Sequence, residues 1–273
     1  MKQEKRSFFN KSDTMDLTSG PIFSQLMIFA LPLLAGQVFQ TLYNSVDSIV
    51  IGRFESASAL AAVTASGTIS MIVSGFFNGL SAGASAFFSR HFGARDYKTL
   101  NDSIHTTVLF SAIFGLLLAV LGILFSPLLL RITKCPEEIL EMSVVYLRIY
   151  LFGVFFTCLY NIGAAVLRSI GDSRTPFIIL VISSLLNIVL DILLVKVIRL
   201  GVAGVAIATV IAQGLSMFLG FGKLMKLDER YRFRFSRLTI NWRLLGGVVR
   251  LGLPAGIQSS VQAIGALYVQ SHT

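Results

Sequence analysis

The chain has 273 residues, of which 54% are apolar and only 14% charged, against about a quarter charged in ordinary soluble domains. That balance excludes a domain whose main solvent is water. The net charge of +9 sits in short tracts between long apolar runs and not on one continuous face, which points to membrane anchoring and away from nucleic acid. The two cysteines, Cys135 and Cys158, are too few for a disulfide framework or a zinc site.

The amino-terminal segment, 1–23, carries Lys2, Lys5, Arg6 and Lys11. No small-residue cleavage signal follows the first apolar run, so that run is expected to stay as a span. A membrane helix needs about 20 apolar residues, and such runs occupy 24–51, 57–88, 104–130, 140–167, 176–198 and 201–225, with a seventh starting near 246. Short turn sequences separate them, among them Gly93-Ala94-Arg95-Asp96 and Gly171-Asp172-Ser173-Arg174. The runs are continuous rather than alternating, so the spans are helices and not strands of a barrel. Glycines at helical spacing in the second run, Gly75, Gly79 and Gly83, predict close approach of a neighbouring helix.

Seventeen of the 23 lysines and arginines fall on one side if the amino terminus is inside; five fall on the other, and Arg148 lies within a span. Cytoplasmic termini follow from that bias. The basic linker, 226–245, contains Arg230-Tyr231-Arg232-Phe233-Arg234-Phe235 and is expected to lie against the bilayer. Leu31-Pro32 followed by Gln40 repeats as Leu253-Pro254 followed by Gln262, an offset of 222. The second copy begins after an even number of spans, which predicts a parallel repeat. The expected fold is therefore an all-α integral membrane protein. Residues 24–225 form a six-transmembrane-helix bundle, one lobe of a 6+6 transporter, and residues 246–273 begin the second lobe of a protein of about 450 residues.

Of the 14 acidic residues only Asp47 and Asp191 fall inside predicted spans. An ionised carboxylate at membrane depth costs several kcal/mol unless it is paired, protonated or wet, so both are functional candidates. With a rise of about 1.5 Å per residue, Asp47, Asp191 and Thr209 all lie roughly 9 to 12 Å below the outer surface. Asn187 is on the face of Asp191, one turn deeper, and Tyr146 can reach the same layer from the fourth span. These oxygens suit a proton or a hard cation such as sodium, and the His and thiolate ligands of a zinc site are missing. The alternative is structural, with either aspartate pairing Arg148 or capping a broken helix. Pro32 predicts a bend, as a hinge or a static kink. Gln37, Gln40, Tyr43, Asn44 and Asp47 recur at steps of three and four, giving the first helix a polar stripe that must face a cavity or another helix.

Three stretches together, Ala30-Leu31-Pro32 through Asn44 and Asp47 to Gly52-Arg53, then Leu167-Arg168 through Gly171-Asp172 to Arg174-Thr175-Pro176, then Asn187 to Asp191, resemble the amino-terminal lobe of a multidrug and toxic compound extrusion (MATE) transporter. The resemblance runs from about Leu17 to the end of the chain. It implies two six-helix lobes in the plasma membrane that export organic, often cationic, drugs in exchange for Na+ or H+, with no other cofactor. It implies further that Asp47, Asn187, Asp191 and Thr209 hold the coupling ion beside Tyr146, that Pro32 takes part in bending, and that a carboxy-terminal lobe completes the drug cavity. A flippase for lipid-linked sugars and a non-transport membrane scaffold are the rival readings. An enzyme is not expected, since His91, His105 and His272 are isolated and no nucleophile and base cluster.

Overall fold

The computed structural model describes residues 22–270. The amino-terminal segment before them and His272 lie outside it, as do the side chains of Tyr43 and Asn44 in the predicted polar stripe. Seven long helices follow in order: α1 (Ile22–Phe54), α2 (Ala57–Gly93), α3 (Tyr97–Ile132), α4 (Glu137–Ser169), α5 (Arg174–Asp191), α6 (Gly201–Leu224) and α7 (Trp242–Gln270). A π-helical stretch, Ile192–Val197, extends α5, and a single 3-10 turn, Phe235–Arg237, interrupts the linker. Six of these elements are long and apolar enough to cross a bilayer, α1 through α6 with the π stretch included in the fifth. The six-span bundle read from the sequence is the fold observed.

The turns act through their capping chemistry. The Ser56 hydroxyl accepts from the Ala59 N–H at 3.2 Å to open α2, and the Asp96 carboxylate accepts from the Thr99 N–H at 3.1 Å to open α3. Asp172 takes both the N–H and the hydroxyl of Thr175, at 2.9 and 2.6 Å, at the start of α5. Four helices, α5 with its π extension among them, end through a residue in the left-handed region, Arg95, Lys134, Gly171 and Arg199, which turns the chain back and lets its N–H groups reach the last carbonyls.

The bundle is built around α4, which packs against α2, α3 and α6, while α5 is held by α6 and α1. Three apolar clusters fill it. One at the end where α2 meets α3 joins Phe88, Leu100, Ile104 and Leu167, one in the middle joins Phe77, Leu147 and Val154, and one at the opposite end, where α1 meets α2, joins Val50, Ile51, Tyr146 and Val205. Leu116, Leu117, Leu124 and Leu128 of α3 point outward, as a lipid-facing surface requires.

Gly79 and Gly83 are where the seventh helix docks. A Cβ at Gly79 would collide with the carbonyl of Ala255, and one at Gly83 with the Cα of Gly252, so α7 lies backbone to backbone on α2. The linker folds onto the end of the bundle near the start of α3: Tyr231 and Phe233 are buried in the apolar cluster of Phe88 and Leu100. Asn101 Nδ2 donates to the Arg232 carbonyl at 3.3 Å, Thr106 Oγ1 donates to the Thr239 carbonyl at 3.1 Å, and His105 Nε2 accepts from the Arg234 N–H at 3.0 Å. His105 Nδ1 contacts the Asn101 carbonyl at 2.7 Å and its ring stacks on Phe233 at 5.3 Å, so that with a carbonyl and an N–H as partners Nδ1 donates and Nε2 accepts. Burial of the Tyr231 ring raises its phenol from the ordinary value, and the Asp228 carboxylate adds to the shift.

Candidate functional site

Asp47 arrives on the carboxy-terminal third of α1, Asn187 and Asp191 on the last turns of α5, and Thr209 on the third turn of α6. Asp191 is the last residue before the π stretch, a local widening that recurs at functional positions inside helices. Asn187 and Asp191 are fully buried, Thr209 is 3% exposed and Asp47 8%. Charged groups at such depth persist only when bonded.

Asn187 supplies the bonds. With its amide nitrogen turned to the carboxylates it donates to Asp191 Oδ2 and to Asp47 Oδ1, both at 3.0 Å, while its oxygen accepts from the Thr209 N–H at 3.3 Å. One side chain therefore ties α1, α5 and α6 together, and it holds both carboxyls on a single amide nitrogen. Asp191 Oδ1 and Thr209 Oγ1 are buried with no protein partner. An unpartnered carboxyl oxygen and an unpartnered hydroxyl, both hard oxygens, fit a small cation or a proton. Among the described residues no group of three or more His, Cys, Asp and Glu side chains gathers to hold a metal ion.

Tyr146 is buried in the apolar cluster with Val50, Ile51 and Val205, which adjoins the site through α1 and α6. It stacks on Tyr150 at 6.3 Å, and the Tyr150 hydroxyl is 2.9 Å from Ser74 Oγ of α2. The structural alternative, an Asp–Arg148 pair, is not what forms: Arg148 is exposed and donates to Ser126 Oγ at 3.1 Å. Gln37 is exposed, Gln40 and Pro32 are half-buried, and α1 continues as helix through Pro32. Much of this helix presents an uncovered face.

Sequence reasoning passed over Gln213 and Thr157, whose side-chain oxygens are also buried without partners. The signal was present, since Gln213 follows Thr209 by four residues and so shares its face.

The sequence matches the MatE family over residues 32–193. It is 32% identical to the probable multidrug resistance protein YpnP of Bacillus subtilis (strain 168), over 94% of this chain and 57% of that protein. It is 26% identical to the multidrug export protein MepA of Staphylococcus aureus (strain MRSA252), over 95% of this chain and 56% of that one. The chain thus spans about half the length of the curated relatives it matches. A solved structure described as the outward-facing conformation of a multidrug resistance MATE family transporter of the MOP superfamily superimposes with a TM-score of 0.84 at 26% identity, over 95% of this chain and 58% of that one. Motifs, six-span bundle and family match agree: the chain belongs to the MatE family of multidrug and toxic compound extrusion transporters.

Proposed function

We propose that this chain is the ion-binding half of a secondary active exporter that moves organic, often cationic, drugs out of the cell in antiport with Na+ or H+. The observation that carries the reading is the Asn187 bridge between two buried carboxyls, with Asp191 Oδ1 and Thr209 Oγ1 left free of protein partners. Asp47, Asn187, Asp191 and Thr209 would hold the ion, and Tyr146 would cover them. Loading the site neutralises the carboxyls; emptying it leaves charge at membrane depth. The two states differ in free energy, and that difference can be exchanged for a change in how α1 sits on α5 and α6. Pro32, with its missing N–H, is where α1 would yield. Gln37, Gln40, Tyr43 and Asn44 would then face the drug cavity between this lobe and a second one, in a plasma membrane with the amino terminus cytoplasmic.

The test is drug accumulation by the full-length protein in inverted membrane vesicles, driven by an imposed sodium gradient or an imposed proton gradient. Uptake driven by one of the two supports antiport and identifies the ion. Equal uptake with neither gradient contradicts the reading.

A further inference from the structure

Among the described residues the buried side-chain oxygens without partners are few, and four of them form a series. Asp191 Oδ1 and Thr209 Oγ1 belong to the acid cluster; Gln213 Oε1 and Thr157 Oγ1 lie outside it. Because α6 runs inward from Gly201, Gln213 sits one turn, about 6 Å, inside Thr209, and Ser216 about 10 Å inside it. Ser216 Oγ donates to Ser183 Oγ at 2.7 Å, and Ser183 is one turn inward of Asn187 on α5. The facing helices thus keep one polar residue per turn from the acid cluster toward the cytoplasmic end, Asn187 and then Ser183 on α5, Thr209, Gln213 and Ser216 on α6. The α4 side is shaped to match. A Cβ at Gly153 would collide with Gln213 Oε1 and lie 2.9 Å from Val210 Cγ2, so the missing side chain is what seats the amide. Thr157 follows Gly153 by one turn on the same face of α4.

A buried amide or hydroxyl oxygen left bare costs about 1–3 kcal/mol, and native interiors relieve such groups with ordered water held by two to four polar partners. Lipid cannot do so. We propose that Thr209, Gln213, Thr157 and the Ser183–Ser216 pair hold a file of ordered water that connects the acid cluster to the cytoplasmic side within this lobe. The file gives the site an inward proton route separate from the drug cavity. A proton leaving the carboxyl passes to the water at Thr209, and each water in turn accepts one and gives one up, so the file is left neutral behind it. The route rests on the ion-coupling reading; the presence of the water does not.

Two measurements on the full-length protein test it. Single cysteines at Gln213→Cys and Ser216→Cys, with Cys135 and Cys158 replaced, are exposed in membranes to a small cationic thiosulfonate, which reacts only with thiols in contact with water. Both positions are expected to react at least tenfold faster than lipid-facing Ile211→Cys. Reaction no faster than at residue 211 overturns the water file. Gln213→Leu, and Thr157→Val as a variant that removes only a hydroxyl, are expected to slow ion-driven efflux about tenfold while the ion still raises the melting temperature as in the unmodified protein. Unslowed efflux in both variants overturns the route. If Asp47→Asn also leaves efflux intact, it is the ion-coupling reading that has failed, and the cysteine reactivities still decide whether water is there.

Discussion

Replacing Asn187 with leucine removes the amide while keeping similar bulk, and its cost can be worked from three bonds. Asp47 and Asp191 each lose a donor at 3.0 Å, and the Thr209 N–H loses an acceptor at 3.3 Å. A hydrogen bond to a charged group contributes about 1.5–3 kcal/mol, so two ionised carboxylates would forfeit roughly 3–6 kcal/mol. The carboxyls can recover part of that by sharing a proton, which leaves a net loss of about 2–3 kcal/mol. At about 2–4 °C per kcal/mol for a chain of this size, the melting temperature in detergent should fall by roughly 5–10 °C. The ion dependence should also vanish. An ion at 100 times its Kd stabilises by about 2.7 kcal/mol, a shift the variant should no longer show. The assay is thermal unfolding with and without the coupling ion. A variant that melts where the parent does, and still responds to the ion, would refute the bridge as the organiser of the site.

Three further outcomes follow from the same structure. Gly83→Ala places a Cβ 2.6 Å from the Leu251 carbonyl carbon as well as against Gly252; overpacking of this kind costs about 1–3 kcal/mol, so disulfide trapping between cysteines placed across α2 and α7 should fall, and undiminished trapping would mean the helices do not meet there. His105→Leu leaves the Arg234 N–H without its acceptor, a loss of about 1–3 kcal/mol, so trypsin should cut the arginine-rich linker about tenfold faster or more, at one decade per 1.4 kcal/mol. The Thr99 hydroxyl and then its N–H hold the Asp96 carboxyl below its ordinary value of 3.8. A lowered folded-state value means the cap is at full strength above the unfolded value and is lost as pH falls through the folded one. Hydrogen exchange at the first turn of α3 should therefore quicken in acid below about pH 4, and Asp96→Asn should flatten that dependence.

What the sequence revealed depended on how improbable each signal is. A carboxylate inside a membrane helix is rare, so Asp47 and Asp191 stand out unaided, and a fixed rise per residue places them with Thr209 at one level before any contact is known. The glycine spacing of α2 was readable for the same reason, although the sequence did not say that α7 is the helix that docks on it. Gln213 and Thr157 were passed over because an uncharged amide or hydroxyl in a membrane helix usually bonds to its own backbone; only the structure shows theirs bare. The place of His105 under the linker was not legible because its partner, Arg234, is 129 residues away and is engaged through its backbone N–H, which no side-chain pattern announces. The burial of two linker aromatics was hidden for a related reason. Interleaved arginines and aromatics are the pattern of a surface segment, and burial of Tyr231 and Phe233 in the cluster with Leu100 and Ile104 is a tertiary event.

If the Asp47–Asn187–Asp191–Thr209 cluster holds the coupling ion, Asp47→Asn in the full-length protein removes one of its two carboxylates. Ion binding at equilibrium, measured as bound radioactive sodium or as protons taken up after a pH jump, should disappear in the correctly inserted variant, and ion-driven efflux with it. Binding and efflux equal to those of the unmodified protein would contradict the account.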